Sequence, residues 1–124
     1  MSEKYLLPSP KEILARESSK QHKHETTLWT VYASSKRILK DWHNLVINNP
    51  EETIACYKAI SSAPMQRIRG VAFAMKGKTF KGGWEYKVNK GDRVFYQPIK
   101  DTKEVIVYYA DKHPKEHKYP TPPS

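Results

Sequence analysis

A chain of 124 residues has room for one domain and a single modest core, and its formal net charge of +9 bounds the class of partner. No apolar run approaches the roughly 20 residues needed to cross a bilayer. Residues 1–7 are too short for a secretory signal before Pro8 and charge interrupt them. A cytoplasmic protein is therefore expected, and the single Cys56 agrees, since one cysteine closes no internal disulfide and completes no cysteine-based metal site.

The charge is unevenly spread: net +1 over residues 1–27, +1 over 28–63 and +7 over 64–124. A basic field confined to one half fits a polyanionic partner, either RNA, DNA or an acidic protein. Lysines that merely keep a small domain soluble are the competing explanation.

Residues 1–27 are poor in apolar side chains and read as an N-terminal extension, an appendage to the domain. Within them Ser9-Pro10-Lys11-Glu12 has the form of a helix start, with Ser9 as cap, Pro10 at the first helical position and Glu12 as the returning carboxylate. Ile13 and Leu14 give a small apolar stripe, so a short helix to about Ser19 is expected. His22 and His24 alternate in a polar stretch and read as solvated rather than as metal ligands.

Residues 28–33 (Leu-Trp-Thr-Val-Tyr-Ala) alternate and are β-rich, which predicts a strand. Ser34 or Ser35 then caps a helix over about 36–48, where Ile38, Leu39, Trp42, Leu45 and Val46 recur at helical spacing. Asn49-Pro50-Glu51-Glu52 opens a second helix, with Asn49 as cap and two carboxylates at its positive end. Ile54, Tyr57 and Ile60 are its buried stripe, and Pro64 lies beyond its end. The two make a helical hairpin.

Residues 65–83 are basic, with Arg67, Arg69, Lys76, Lys78 and Lys81. Residues 71–75 are apolar but too short to assign, and 77–83 read as a loop that lacks the spacing of a phosphate-binding P-loop. A strand over 84–89 puts Trp84, Tyr86 and Val88 on one face and Glu85, Lys87 and Asn89 on the other. Lys90-Gly91-Asp92 is a hairpin turn. The next strand covers 93–97 and ends at Pro98, and the last covers 104–110, apolar at nearly every position as a central strand is. Residues 120–124 form a Pro-rich tail that should be extended or frayed. The order β-α-α-β-β-β predicts an α+β fold, a helical hairpin packed on one face of a small antiparallel sheet.

That order, with the run Trp84-Glu85-Tyr86-Lys87-Val88, the segment Gly91-Asp92-Arg93-Val94-Phe95-Tyr96, then Val105-Ile106-Val107 and Lys112-His113, resembles the RelE/ParE superfamily of bacterial toxins from type II toxin–antitoxin modules. The resemblance covers about residues 28–119 as a RelE-like toxin domain. It is carried most specifically by the glycine, arginine, hydrophobic pair and tyrosine of residues 91–96. RelE-like members cut messenger RNA in the ribosomal A site without a metal, whereas ParE-like members share the fold and poison DNA gyrase, so fold alone does not choose between them. The resemblance implies a cognate antitoxin, the ribosome and mRNA as partners, no cofactor, no metal and no membrane.

Metal-free RNA cleavage by the neighbouring 2′-hydroxyl needs a proton acceptor, a cation on the phosphate and an acid for the leaving 5′-oxygen. Arg93 matches the strand arginine of RelE-like toxins and suits the phosphate; an ion pair with Asp92 or Glu104 is the bland alternative. His113 stands where the YoeB and HigB relatives place a histidine and suits proton transfer, its reference pKa of about 6.5 lying near cellular pH. Tyr119 resembles the C-terminal catalytic tyrosine of RelE. Pro114 departs from the tyrosine that relatives carry directly after the histidine. Lys87 resembles the strand lysine of the family, as base or electrostatic stabiliser. Arg67, Arg69, Lys76, Lys78, Lys81, Lys112 and Lys115 are the expected RNA-binding set. A ParE-like gyrase inhibitor without nuclease activity and a non-catalytic RNA-binding module are the alternatives.

Overall fold

The computed structural model describes residues 5–17, 28–115 and 118–123. The chain runs β1 (Tyr5–Leu6), α1 (Pro10–Glu17), β2 (Thr30–Ala33), α2 (Lys36–Asn48), α3 (Pro50–Ser62), β3 (Ala72–Ala74), a 3-10 turn (Lys78–Phe80), β4 (Trp84–Lys87), β5 (Asp92–Ile99) and β6 (Glu104–Lys112). The strands form one sheet in the order β1-β2-β6-β5-β4-β3. The expected α+β architecture is present, with β4, β5 and β6 as the predicted meander. One pairing is parallel, β2 against β6, which makes the sheet mixed rather than purely antiparallel. The helical hairpin carries the chain from β2 across the sheet, so β6 returns beside β2 in the same direction.

Period-two alternation sorts the side chains onto two faces. Trp42, Leu45 and Val46 of α2 and Cys56 and Ile60 of α3 form the main core with Val31, Ala33, Val94, Tyr96, Val105 and Val107 of the sheet. Ser35 caps α2, its Oγ accepting from the Ile38 amide at 3.2 Å. Asn49 occupies the expected N-cap position of α3, but its side chain makes no cap hydrogen bond. Strand β5 runs past the expected stop at Pro98, which pairs with Val105. A proline is tolerated there because β4 reaches only to Tyr96, leaving the far side of β5 open.

The N-terminal segment, read as an appendage, contributes to that core. Leu7 and Ile13 are 1% and 0% exposed, and burial of each such side chain is worth about 1.5–3 kcal/mol. The Trp42 indole Nε1 donates to the Pro8 carbonyl at 2.8 Å, and Ser9 Oγ caps α1 by accepting from the Glu12 amide at 3.2 Å. Two-residue β1 and three-residue β3 are too short to carry a periodic signal, which is why only the fold reveals them. His22 and His24 lie outside the described residues.

A second, aromatic cluster covers part of the opposite face. Phe95 is fully buried there by the rings of Tyr109, Tyr119 and Tyr108, with centroids 5.4, 5.9 and 6.3 Å away. A β-bulge makes this possible: Phe95 pairs with Tyr109 and Tyr96 with Val107, so Tyr108 is an extra residue and two consecutive tyrosines reach the same ring. The tail returns onto this cluster. A Cβ on Gly83 would meet the Tyr108 hydroxyl and lie 2.9 Å from Pro122, so only glycine allows the close approach.

Burial pushes the Tyr86 phenol up to about 12, with a smaller push from Cys56, and raises Tyr96 and Tyr108 as well. Unfolded tyrosines ionise near pH ~10. Folded pKa values above unfolded ones mean stability that is intact below pH ~10 and is lost as pH rises toward the folded values. Melting temperature is therefore expected to be flat with respect to these groups to about pH 9 and to fall between about pH 10 and 12. Tyrosinate absorbance should appear together with unfolding; smooth titration of all tyrosines in a folded protein would contradict their burial.

Candidate active site

Strands β4 and β5 pair with Lys87 opposite Arg93 and Glu85 opposite Phe95. Directly opposed residues project to the same face, so these side chains share the face away from the helices. The expected alternation of Lys87 away from Tyr86 and Val88 is thus what brings it beside Arg93.

Arg93 is only 9% exposed. Its Nε donates to Glu85 Oε2 at 3.2 Å, and Glu85 is itself 4% exposed. Its ion-pair partner is therefore Glu85, not the carboxylates of Asp92 or Glu104 that the sequence offered as alternatives. Arg93 Nη1 donates to the carbonyls of Asn89 at 2.6 Å, Asp92 at 3.0 Å and Lys90 at 3.3 Å. These bonds engage Nε and Nη1; none uses Nη2. The guanidinium is fixed from behind by the hairpin, with one amino group left for an incoming anion.

The hairpin has the shape this requires because Asn89 folds its side chain into the turn. Asn89 Oδ1 accepts from the amides of Gly91 and Asp92, both at 2.8 Å. That Asx-type turn points the carbonyls of residues 89 and 90 at Arg93.

His113 leaves the end of β6 with its amide donating to the Gly91 carbonyl at 2.8 Å, so the same turn holds it. The Tyr119 hydroxyl lies 3.2 Å from His113 Nε2, and the two rings meet edge-on at 5.6 Å. Pro114, the departure from a consecutive His-Tyr pair, is buried. The tyrosine reaches the histidine from six positions further along the chain instead of from the next one, its ring seated against Phe95 at 5.9 Å and Phe80 at 6.3 Å. Lys87 is exposed, its Nζ 5.7 Å from the centre of the Phe73 ring.

Arg93, Lys87, His113, Tyr119 and Glu85 line one open cleft of about 410 Å³, together with Phe73, Phe80 and Lys76. The cleft joins a guanidinium, a primary amine, an imidazole in hydrogen-bond reach of a phenol, and two half-buried aromatic rings. Such a set can hold an anion, stabilise added charge on it and pass a proton. Among the described residues no cluster of three or more His, Cys, Asp or Glu has the arrangement to hold a metal.

Of the seven other basic positions, all are exposed. Lys76 enters the cleft, and Arg67 joins it around an adjoining hollow lined by Phe73 and Ala74. Lys78 sits on the 3-10 turn before Phe80. Lys112 lies 3.5 Å from Asp92 Oδ1, on the rim of the hairpin. Arg69, Lys81, Lys112 and Lys115 are not among the residues lining the cleft.

Asn89, Phe73 and Phe80 are the site residues that sequence reasoning left without a role, and Glu85, which it offered as a general base without a supporting carboxylate, is instead the partner of Arg93. For Glu85 the signal was present, since it shares the strand parity of Lys87. Phe73 carried none, because β3 is three residues long.

The architecture is a mixed sheet with a helical hairpin on one face and a cationic cleft on the other. No protein-family model matches the sequence, and no curated protein matches it. The solved structures do. The chain is similar to the YoeB-YefM complex from Staphylococcus aureus, at 15% identity and a TM-score of 0.54, covering 69% of this chain and 98% of that one. It is also similar to the YoeB/ParE toxin from Agrobacterium tumefaciens, at 16% identity and a TM-score of 0.51, covering 68% and 98%. A heterotetrameric YoeB-YefM toxin-antitoxin from S. aureus aligns at 13% identity with a TM-score of 0.52, covering 69% and 98%. At these identities the likeness is one of fold. Among the described residues no helix is long and apolar enough to cross a membrane.

Proposed function

We propose that the protein is the toxin of a type II toxin–antitoxin pair and acts as a ribosome-dependent endoribonuclease on mRNA, held inactive by a cognate antitoxin protein. The reading rests on the meeting of Arg93, Lys87, His113 and Tyr119 in one cleft. A gyrase poison has no need of an imidazole–phenol pair beside a clamped guanidinium.

In this reading Arg93 Nη2 binds the scissile phosphate. The 2′-oxygen attacks phosphorus and forms a new P–O bond as the P–O5′ bond breaks. The 2′-hydroxyl proton passes to a base in the cleft, and the leaving 5′-oxygen receives a proton in turn. His113 and Tyr119 handle these protons, and Lys87 stabilises the charge that builds on the phosphoryl oxygens. Phe73 and Phe80 offer faces for a neighbouring base, where stacking contributes about 1–3 kcal/mol per base. Arg67, Arg69, Lys76, Lys78, Lys81, Lys112 and Lys115 bind ribosomal or messenger phosphates in a salt-dependent way.

The test is to induce the protein in bacteria and map RNA 5′ ends. Cuts phased with codons in translated messages are the expected result. Intact messages with an induced DNA-damage response would replace this reading with the ParE-like one, and RNA binding without either effect would leave a simple binding module. Co-expression with the product of an adjacent antitoxin gene should abolish the cuts.

A further inference from the structure

We infer that Asn49, at the junction of α2 and α3, is a positioning residue for Arg93. Asn49 stands 44 positions earlier in the chain, on the helical layer, and does not touch the guanidinium. It acts through the hairpin that clamps it.

The first observation is a hydrogen bond that is not made. Asn49 holds the N-cap position of α3, where an asparagine side chain usually accepts from the helix amides and stabilises the helix. Here it makes no such bond. Its Oδ1 instead accepts from Asn89 Nδ2 at 2.9 Å, and its Nδ2 donates to Asp92 Oδ2 at 3.4 Å and to the Leu45 carbonyl at 3.3 Å. Asn89 Nδ2 also reaches Asp92 Oδ2 at 3.0 Å, which closes a ring of three side chains. Asp92 is 8% exposed, so its carboxylate would be costly to leave unpaired.

The second observation is where the ring is attached. Asn89, Lys90 and Asp92 supply the three carbonyls that receive Arg93 Nη1, and Gly91 supplies the carbonyl that receives the His113 amide. Asn49 is the member of the ring that comes from outside the hairpin. The turn is held on one side by β6, through the Gly91 carbonyl and the pairing of Asp92 with Lys112, and Asn49 holds it on the other. Tying it to the rigid end of α2 fixes the carbonyls, and through them the direction of Nη2.

The geometric claim stands apart from the reaction, while its catalytic consequence rests on the endoribonuclease reading. The test therefore has two arms. In the first, protein labelled with ¹⁵N-arginine is studied by NMR, with Arg93→Lys used to assign the guanidinium. Wild type should show separate, slowly exchanging Nη protons for Arg93, and Asn49→Ala should merge them. Asn49→Ser is the second variant, since serine keeps a helix-starting residue but is too short to reach Asn89 and Asp92. Unchanged Arg93 signals in either folded variant would overturn the inference.

In the second arm RNA cleavage is measured. Asn49→Ala should lower kcat about 10- to 100-fold with little change in KM, as expected for a misplaced catalytic group. Added to Arg93→Ala it should cost nothing further, because the group it positions is gone. An equal further loss in that background would mean that Asn49 acts elsewhere and would overturn the inference. If wild type cuts no RNA, that failure belongs to the endoribonuclease reading, and the NMR arm still decides the role of Asn49.

Discussion

Replacing Arg93 with alanine is expected to lower RNA cleavage by about 100- to 1000-fold, the loss typical when a preorganised group that stabilises developing charge is removed. The guanidinium enters the cleft already oriented. Glu85 takes Nε and three carbonyls take Nη1, while Nη2 has no hydrogen bond among the described residues. Little reorganisation is then needed as charge grows on the phosphate. Arg93→Lys should recover only part of the activity. An ammonium keeps the charge but cannot hold Glu85 and the turn while also presenting a donor to the phosphate. Growth after induction and 5′-end mapping read the result directly. Toxicity and cleavage undiminished in a folded Arg93→Ala protein would remove Arg93 from the mechanism and leave the cleft without its main cation.

The second large effect is expected on stability. Glu85→Ala leaves the Arg93 guanidinium buried without its carboxylate, and breaking a buried pair from one side costs about 3–5 kcal/mol. Both side chains are at most one-tenth exposed, so solvent does little to repair the loss. Urea denaturation of the two proteins measures it. Removing both charges together, as Glu85→Gln with Arg93→Gln, should cost less than Glu85→Ala alone, because no unpaired charge stays behind. A Glu85→Ala midpoint equal to wild type would show that water enters the cleft floor and that the pair contributes nothing. The same reasoning bears on Arg93→Ala, whose orphaned Glu85 makes a stability check part of any activity measurement.

Much of the fold was legible because its signals are local. The helical spacing of Trp42, Leu45 and Val46, the alternation of residues 84–89 and the apolar run of 104–110 need only near neighbours to be seen, and the helix and strands they predict are present. The short strands β1 and β3 had no such signal, since two or three residues fill less than one period of comparison. Their strand character comes from the neighbour they pair with. Asn49 shows the opposite failure: its local signal was strong and correct in position, yet its side chain was drawn away by Asn89 and Asp92, distant in sequence.

The candidate site divides in the same way. The resemblance to RelE-like toxins singled out Arg93, Lys87, His113 and Tyr119, and residue type supported the choice, because charge, donor geometry and proton affinity belong to the side chain wherever it sits. The basic half was legible too, whereas the hairpin length left the register of Lys87 open by one position, and only the pairing of β4 with β5 set it opposite Arg93. Only the tertiary structure decided which partners those groups have. The bulge at Tyr108 and the aromatic seat on Phe95 bring Tyr119 back onto His113 despite Pro114. The closing of the turn by Asn89 and Asn49 gives Arg93 its direction. The contacts that decide this, Phe95 with Tyr119 and Asn89 with Asn49, join residues far apart in the chain, and their geometry exists only once the sheet, hairpin and tail have packed together.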